Sequence, residues 1–237
     1  MFKTILFLTV VFCNVNVFAQ SLLPYVYLTF ENEDTSTSVT INFMTDKKSA
    51  NSYAYYATES AEGEPDAYNY KIPSRVGEIN NINRSYHHVQ LRSLTPNSTY
   101  YFVVGDEKIG FSQEYKFRTL PNDHTPIKIL TGGDMSTGDK VNKVPEYAMT
   151  KEPHVILIGG DIAYANGKTK ELKRWDQWFD NMMKVMISPD GFLTPLIVAI
   201  GNHEVTTGIA LPWGQAPFYE QIFAQENGKT FFTRNLG

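Results

Sequence analysis

Between residues 24 and 120 apolar and polar positions alternate in short runs. Val39-Thr40-Ile41-Asn42-Phe43 and His88-Val89-Gln90-Leu91-Arg92 have the period of two that puts one strand face in a core and the other in solvent. Seven such runs lie at 24–31, 38–45, 52–59, 69–76, 86–94, 99–107 and 114–120, and turn-formers such as Glu62-Gly63-Glu64-Pro65-Asp66 separate them. Short strands at this spacing predict an antiparallel all-β sandwich. Tyr100 opens a late strand after the turn Leu94-Thr95-Pro96-Asn97-Ser98, where a tyrosine hydroxyl can return to upstream backbone.

The pattern changes after Pro121-Asn122-Asp123-His124-Thr125-Pro126, which reads as a short linker. Apolar runs at 127–130, 154–158 and 196–200 then alternate with amphipathic stretches at 141–149, 171–186 and 218–224, and 230–233 reads as the start of a further strand. Leu172, Trp175, Trp178, Phe179, Met182 and Met186 fall near helical spacing and read as core. Strand–helix alternation predicts a parallel α/β sheet. The fold class is therefore an all-β sandwich followed by α/β, with domains at 20–122 and 123–237.

Composition adds a compartment. Residues 1–19 read as a cleaved secretory signal, with Lys3, the apolar run Ile5–Phe12 and the ending Val17-Phe18-Ala19. This predicts a secreted or periplasmic protein. Cys13 is the only cysteine and leaves with the signal, so no disulfide is expected. A formal charge of −4 without basic runs argues against a nucleic-acid partner, and no later segment is apolar enough to cross a membrane.

Each apolar run of the second half leads into a glycine turn bearing a polar side chain: GGD at Gly132–Asp134, GDIAY at Gly160–Tyr164 and GNHE at Gly201–Glu204. Ligands of open α/β sheets gather beyond the carboxyl ends of the strands, so Asp134, Asp161 and Asn202 are expected to converge. Oxygen donors suit hard cations, and two ions about 3.5–4 Å apart can clamp a phosphoryl group. Taken singly, each Asp is as readily a turn or helix-cap residue, Asn202 a plain turn, and Tyr164 packing. Three such turns after three strands outweigh those readings.

In these motifs and their order the chain resembles the purple acid phosphatases of the calcineurin-like metallophosphoesterase superfamily. The Tyr of GDIAY carries most of the resemblance, together with Ser136 two residues after the first Asp and Arg174-Trp175-Asp176-Gln177-Trp178 after GDIAY. Residues 20–122 resemble that family's fibronectin type III-like N-terminal domain. The resemblance implies a hydrolase of phosphomonoesters, by attack of a metal-held hydroxide on phosphorus. It implies Fe(III) plus a divalent metal (Fe, Zn or Mn) as cofactors. Asp134 and Tyr164 would bind iron, Asp161 would bridge both ions and Asn202 would bind the divalent one. His203 would face the substrate phosphate as the catalytic residue.

The pattern also departs from the family, whose site uses further histidines in VxxH and GHxH motifs. Neither motif occurs among the five histidines here. The other four, His87, His88, His124 and His154, read as structural. The expectation is an α/β domain only half present in a truncated chain, with doubtful activity of its own. Two alternatives stay open: a non-catalytic secreted binding module with a degenerate α/β remnant, and a phosphodiesterase or nucleotide hydrolase on the same fold.

Overall fold

The structure, a computed structural model, describes residues 23–49, 51–138, 143–207, 215–225 and 228–236. The signal reading and Cys13 lie outside the described residues.

Twelve strands are described: β1 (Val26–Thr29), β2 (Val39–Thr45), β3 (Tyr53–Ala57), β4 (Tyr70–Pro73), β5 (Arg75–Glu78), β6 (Ser85–Leu91), β7 (Thr99–Asp106), β8 (Gly110–Phe111), β9 (Tyr115–Arg118), β10 (Ile129–Gly132), β11 (Val155–Ile158) and β12 (Leu196–Val198). Three helices accompany them: α1 (Lys143–Met149), α2 (Leu172–Met182) and α3 (Pro217–Ile222). Strands β4-β3-β7-β8 form one sheet, with β9 also on β7, and β1, β2, β6 and β5 pair antiparallel opposite it, forming the sandwich. The corner forms as expected: Tyr100 accepts the Thr95 N–H on its hydroxyl oxygen at 2.9 Å.

The run at 69–76 is not one strand. It divides into β4, paired with β3, and β5, paired with β6 in the opposite sheet. Pro73 has no N–H to continue the ladder, and the chain leaves the sheet there.

Strands β10, β11 and β12 run parallel, in register Leu130↔Ile156 and Ile156↔Leu196. They do not form a separate sheet. Thr29 of β1 pairs with Leu196 of β12, so one seven-stranded sheet crosses the linker in the order β10-β11-β12-β1-β2-β6-β5. Helices α2 and α3 cover the face of β1 that a lone sandwich would show to water. Tyr25 stacks on Phe179 at 4.8 Å, and the Tyr27 hydroxyl donates to the Ile222 carbonyl at 2.7 Å. Every residue of β1 and β2 is therefore buried despite the alternation in sequence. Buried Asn42 bonds Thr29 and the Nδ1 of His88. Trp175 and Trp178 are buried as core.

Residues 230–233 do not form the expected strand. Just after this segment an isolated bridge joins Asp34 and Asn235, Phe232 packs against the core, and Phe231 is exposed. No ladder holds the segment. Instead the Arg234 guanidinium donates to the Phe30 carbonyl beyond β1.

Candidate metal centre

Because β10, β11 and β12 are parallel, the loops that follow them leave from the same end of the sheet. Backbone hydrogen bonds lace the first two loops. Asp134 N–H donates to the Gly160 carbonyl at 3.2 Å, and Met135 N–H to the Asp161 carbonyl at 3.0 Å. The third loop closes on the second. The His203 N–H donates to Asp161 Oδ1 at 3.0 Å.

Asp134, Asp161 and Tyr164 all have left-handed backbones, with φ of 50°, 52° and 56°. Asp tolerates this region, whereas a bulky residue such as Tyr is held there only by its surroundings. The approach of the loops needs glycine. A Cβ on Gly201 would lie 2.2 Å from Asp161 Oδ1, and one on Gly160, at φ 91°, would lie 2.7 Å from the Gly201 nitrogen.

The side chains of the first two loops meet. The Tyr164 hydroxyl donates to Asp134 Oδ1 at 2.9 Å. This hydrogen bond to Asp134 raises the Tyr164 phenol above its ordinary pKa. The His203 ring lies 4.1 Å from the Tyr164 ring, and its Nδ1 contacts Asn166 Oδ1 at 2.5 Å. If Asn166 Oδ1 accepts, Nδ1 carries the proton and Nε2 is left for a ligand. Asn202 is exposed on the same turn, one residue before His203.

Two contacts were not read from the sequence. One is Asn166, which sits before Gly167 in what reads as a mere Asn-Gly turn. The other is Glu204, only 1% exposed, whose carboxylate accepts N–H bonds from Asp161, Ile162 and Gly201, each at 2.8 Å. Burial pushes its carboxyl up, against the three N–H donors that favour the charged form. Its place as the last residue of the GNHE motif was the signal for it. The other histidines stand apart from the cluster. His87 and His88 are buried in the sandwich, His124 lies in the exposed linker, and His154 precedes β11 at the far end of the strands.

The donors suit a hard cation. Neighbouring oxygens on a six-coordinate ion with bonds of about 2.1 Å lie about 3 Å apart, which the Asp134–Tyr164 oxygen pair matches. Carboxylate, phenol and amide oxygens are the ligand type such ions prefer. Among the described residues no three His, Cys, Asp or Glu side chains are grouped to hold an ion.

The chain thus joins a sandwich with a hydrogen-bonded tyrosine corner to parallel strands that gather acidic loops at one end. Residues 24–119 match the family described as purple acid phosphatase, N-terminal domain. Purple acid phosphatase 13 of Arabidopsis thaliana is 30% identical over 112 residues, which are 46% of this chain and 21% of that one. Purple acid phosphatase 22 of the same plant is 24% identical over 202 residues, 83% of this chain and 42% of that one. The chain thus spans less than half the length of these relatives. The solved structure of PhoD superposes with a TM-score of 0.56 at 14% identity, over 79% of this chain and 40% of that one, a likeness of fold alone.

Proposed function

We propose that this chain belongs to an exported dinuclear-metal phosphatase acting on phosphomonoesters. In this reading residues 20–122 are a fibronectin type III-like domain, and residues 123–237 are the N-terminal half of a calcineurin-like metallophosphoesterase domain. Asp134 and Tyr164 would hold Fe(III), Asn202 would hold a divalent metal (Fe, Zn or Mn), and Asp161 would serve both. When bound, the ions neutralise charge developing on the phosphoryl oxygens.

The chain's own residues do the rest. Tyr164 holds its phenolic proton on Asp134 Oδ1, and with an ion bound there it would release that proton to water and offer its oxygen as a ligand. Asp161 keeps one oxygen on the His203 N–H, which fixes its direction and leaves its other oxygen for an ion. His203, held by Asn166 at Nδ1, directs Nε2 at the phosphate or at the leaving oxygen, where it can pass a proton. The observation that carries the reading is the 2.9 Å contact of Tyr164 with Asp134, between two loops a full βαβ unit apart.

The test is titration of the chain with ferric ion, followed by visible absorbance. The expected result is a charge-transfer band in the chain as it stands and none in Tyr164→Phe. A colourless titration, or a band that survives the substitution, overturns the assignment of Tyr164. Hydrolysis of an aryl phosphate at mildly acid pH then tests the reaction.

A further inference from the structure

The segment Asp161-Ile162-Ala163-Tyr164 enters and leaves by left-handed residues, and the bulky Tyr164 keeps that backbone only where its surroundings hold it. Two charged side chains outside the expected ligand set grip it. Glu204, from the loop after β12, accepts the N–H groups of Asp161 and Ile162 at the start of the segment. Arg174, in the first turn of α2, donates its Nε to the Ala163 carbonyl at 2.7 Å, one residue before Tyr164.

The grip needs these residue types. Glu204 Oε2 takes two N–H groups, from Asp161 and Gly201, while Oε1 takes the third, from Ile162. Only an acceptor-only group serves all three. An amide of the same shape would turn an N–H against at least one N–H. The bond from Gly201 also ties the Gly201 turn, and with it His203, to the same carboxylate. Arg174 is fixed from the other side. Its helix carries Asp176, which pairs with Arg84 of the sandwich at 2.5 Å, and Phe179, which stacks on Tyr25.

We infer that Glu204 and Arg174 are positioning residues that impose the backbone of residues 161–164 and thereby aim Asp161 and Tyr164 at one point. Neither touches an ion or substrate in this assignment, which rests on the metal-centre reading above only for what the two aimed side chains then do. Glu204 sets the entry to the segment and Arg174 its exit. The sandwich takes part through the Arg84–Asp176 pair.

The experiment uses the whole chain with 3-fluorotyrosine placed at position 164. Fluorine NMR then reports the contacts of that ring with Asp134 and His203, and amide hydrogen exchange reports residues 161–163. Glu204→Gln is expected to speed exchange at Asp161 and Ile162 by about tenfold or more and to move the fluorine resonance, with sandwich amides unchanged. Arg174→Met is expected to move the fluorine resonance, and Arg174→Lys to restore part of the shift. If Glu204→Gln does not fold, the Arg174 pair alone decides. Unchanged resonance and exchange in the variants that fold overturn the positioning role. Ferric titration of the same samples separates the two ideas. Variants that shift the resonance while the parent chain never colours support the positioning role and remove the metal reading.

Discussion

Tyr164 reaches across from the loop after β11 to give its phenolic hydrogen to Asp134, in the loop after β10, at 2.9 Å. This contact joins two positions that matter only together. A proton now lies between two oxygens that could both serve a cation. The bond holds the phenol above its ordinary pKa, so without an ion Tyr164 stays neutral at any working pH. A cation reverses this preference by favouring the phenolate. Added ferric ion is therefore expected to bring titration of this one tyrosine below neutrality, seen as ultraviolet tyrosinate absorbance. The same absorbance should be missing in Tyr164→Phe and much weakened in Asp134→Asn. Equal tyrosinate signals in all three proteins would contradict the pairing.

The sandwich corner makes a second prediction. Tyr100 is nearly buried and accepts the Thr95 N–H on its hydroxyl. Tyr100→Phe keeps the ring, which stacks on Phe117 at 5.6 Å, and removes only the acceptor. The stranded N–H is expected to cost about 1–2 kcal/mol, read from urea unfolding with an unchanged slope. A loss within error would mean that water replaces the hydroxyl at the turn.

These two tyrosines also show how far the sequence can be read. Tyr100 announced its role because a turn at fixed spacing precedes a strand, which is local information. Tyr164 and Asp134 were identifiable as candidates because each follows an apolar run. Their meeting depended on β10 and β11 being parallel, which strand–helix alternation implies. The left-handed backbones at Asp134, Asp161 and Tyr164 were not legible, since no glycine marks those positions. Nor was the join between β1 and β12, because a strand carries no mark of its neighbour across a linker. Thr40 and Asn42 of β2, which the alternation would turn outward, are both buried, and Asn42 is held by hydrogen bonds to Thr29 and His88 within the sandwich itself.

Gly201 provides a third prediction. An added methyl would sit 2.2 Å from Asp161 Oδ1 and 2.4 Å from its backbone nitrogen, and backbone cannot move aside as a flexible side chain can. Gly201→Ala is expected to push the loops after β11 and β12 apart, at a cost of about 1–3 kcal/mol. The thermal midpoint should fall by several degrees. Ferric titration should weaken in the same variant, while the tyrosine corner, remote in the fold, stays intact. A variant with parental stability and parental metal response would show that the loops are less closely joined than drawn.

The last prediction concerns acid. His87 and His88 are buried side by side in β6, His87 stacked on Phe43 and bonded to Ser74, His88 bonded to Asn42. Burial pulls their pKa values down to about 4 and about 3. Arg75 adds to the effect on His88. In the unfolded chain both return to about 6.5. Between that value and the folded ones, the unfolded state binds more protons, so stability is complete above about pH 6.5 and falls as pH drops. By pH 5 each histidine is expected to have removed about 2 kcal/mol relative to pH 7. Denaturant unfolding of the chain across pH 5–7 measures the sum. His87→Gln, which cannot take up a proton there, should flatten the dependence by about half. A flat profile from pH 7 to 5 would mean that these imidazoles are not held neutral by the core.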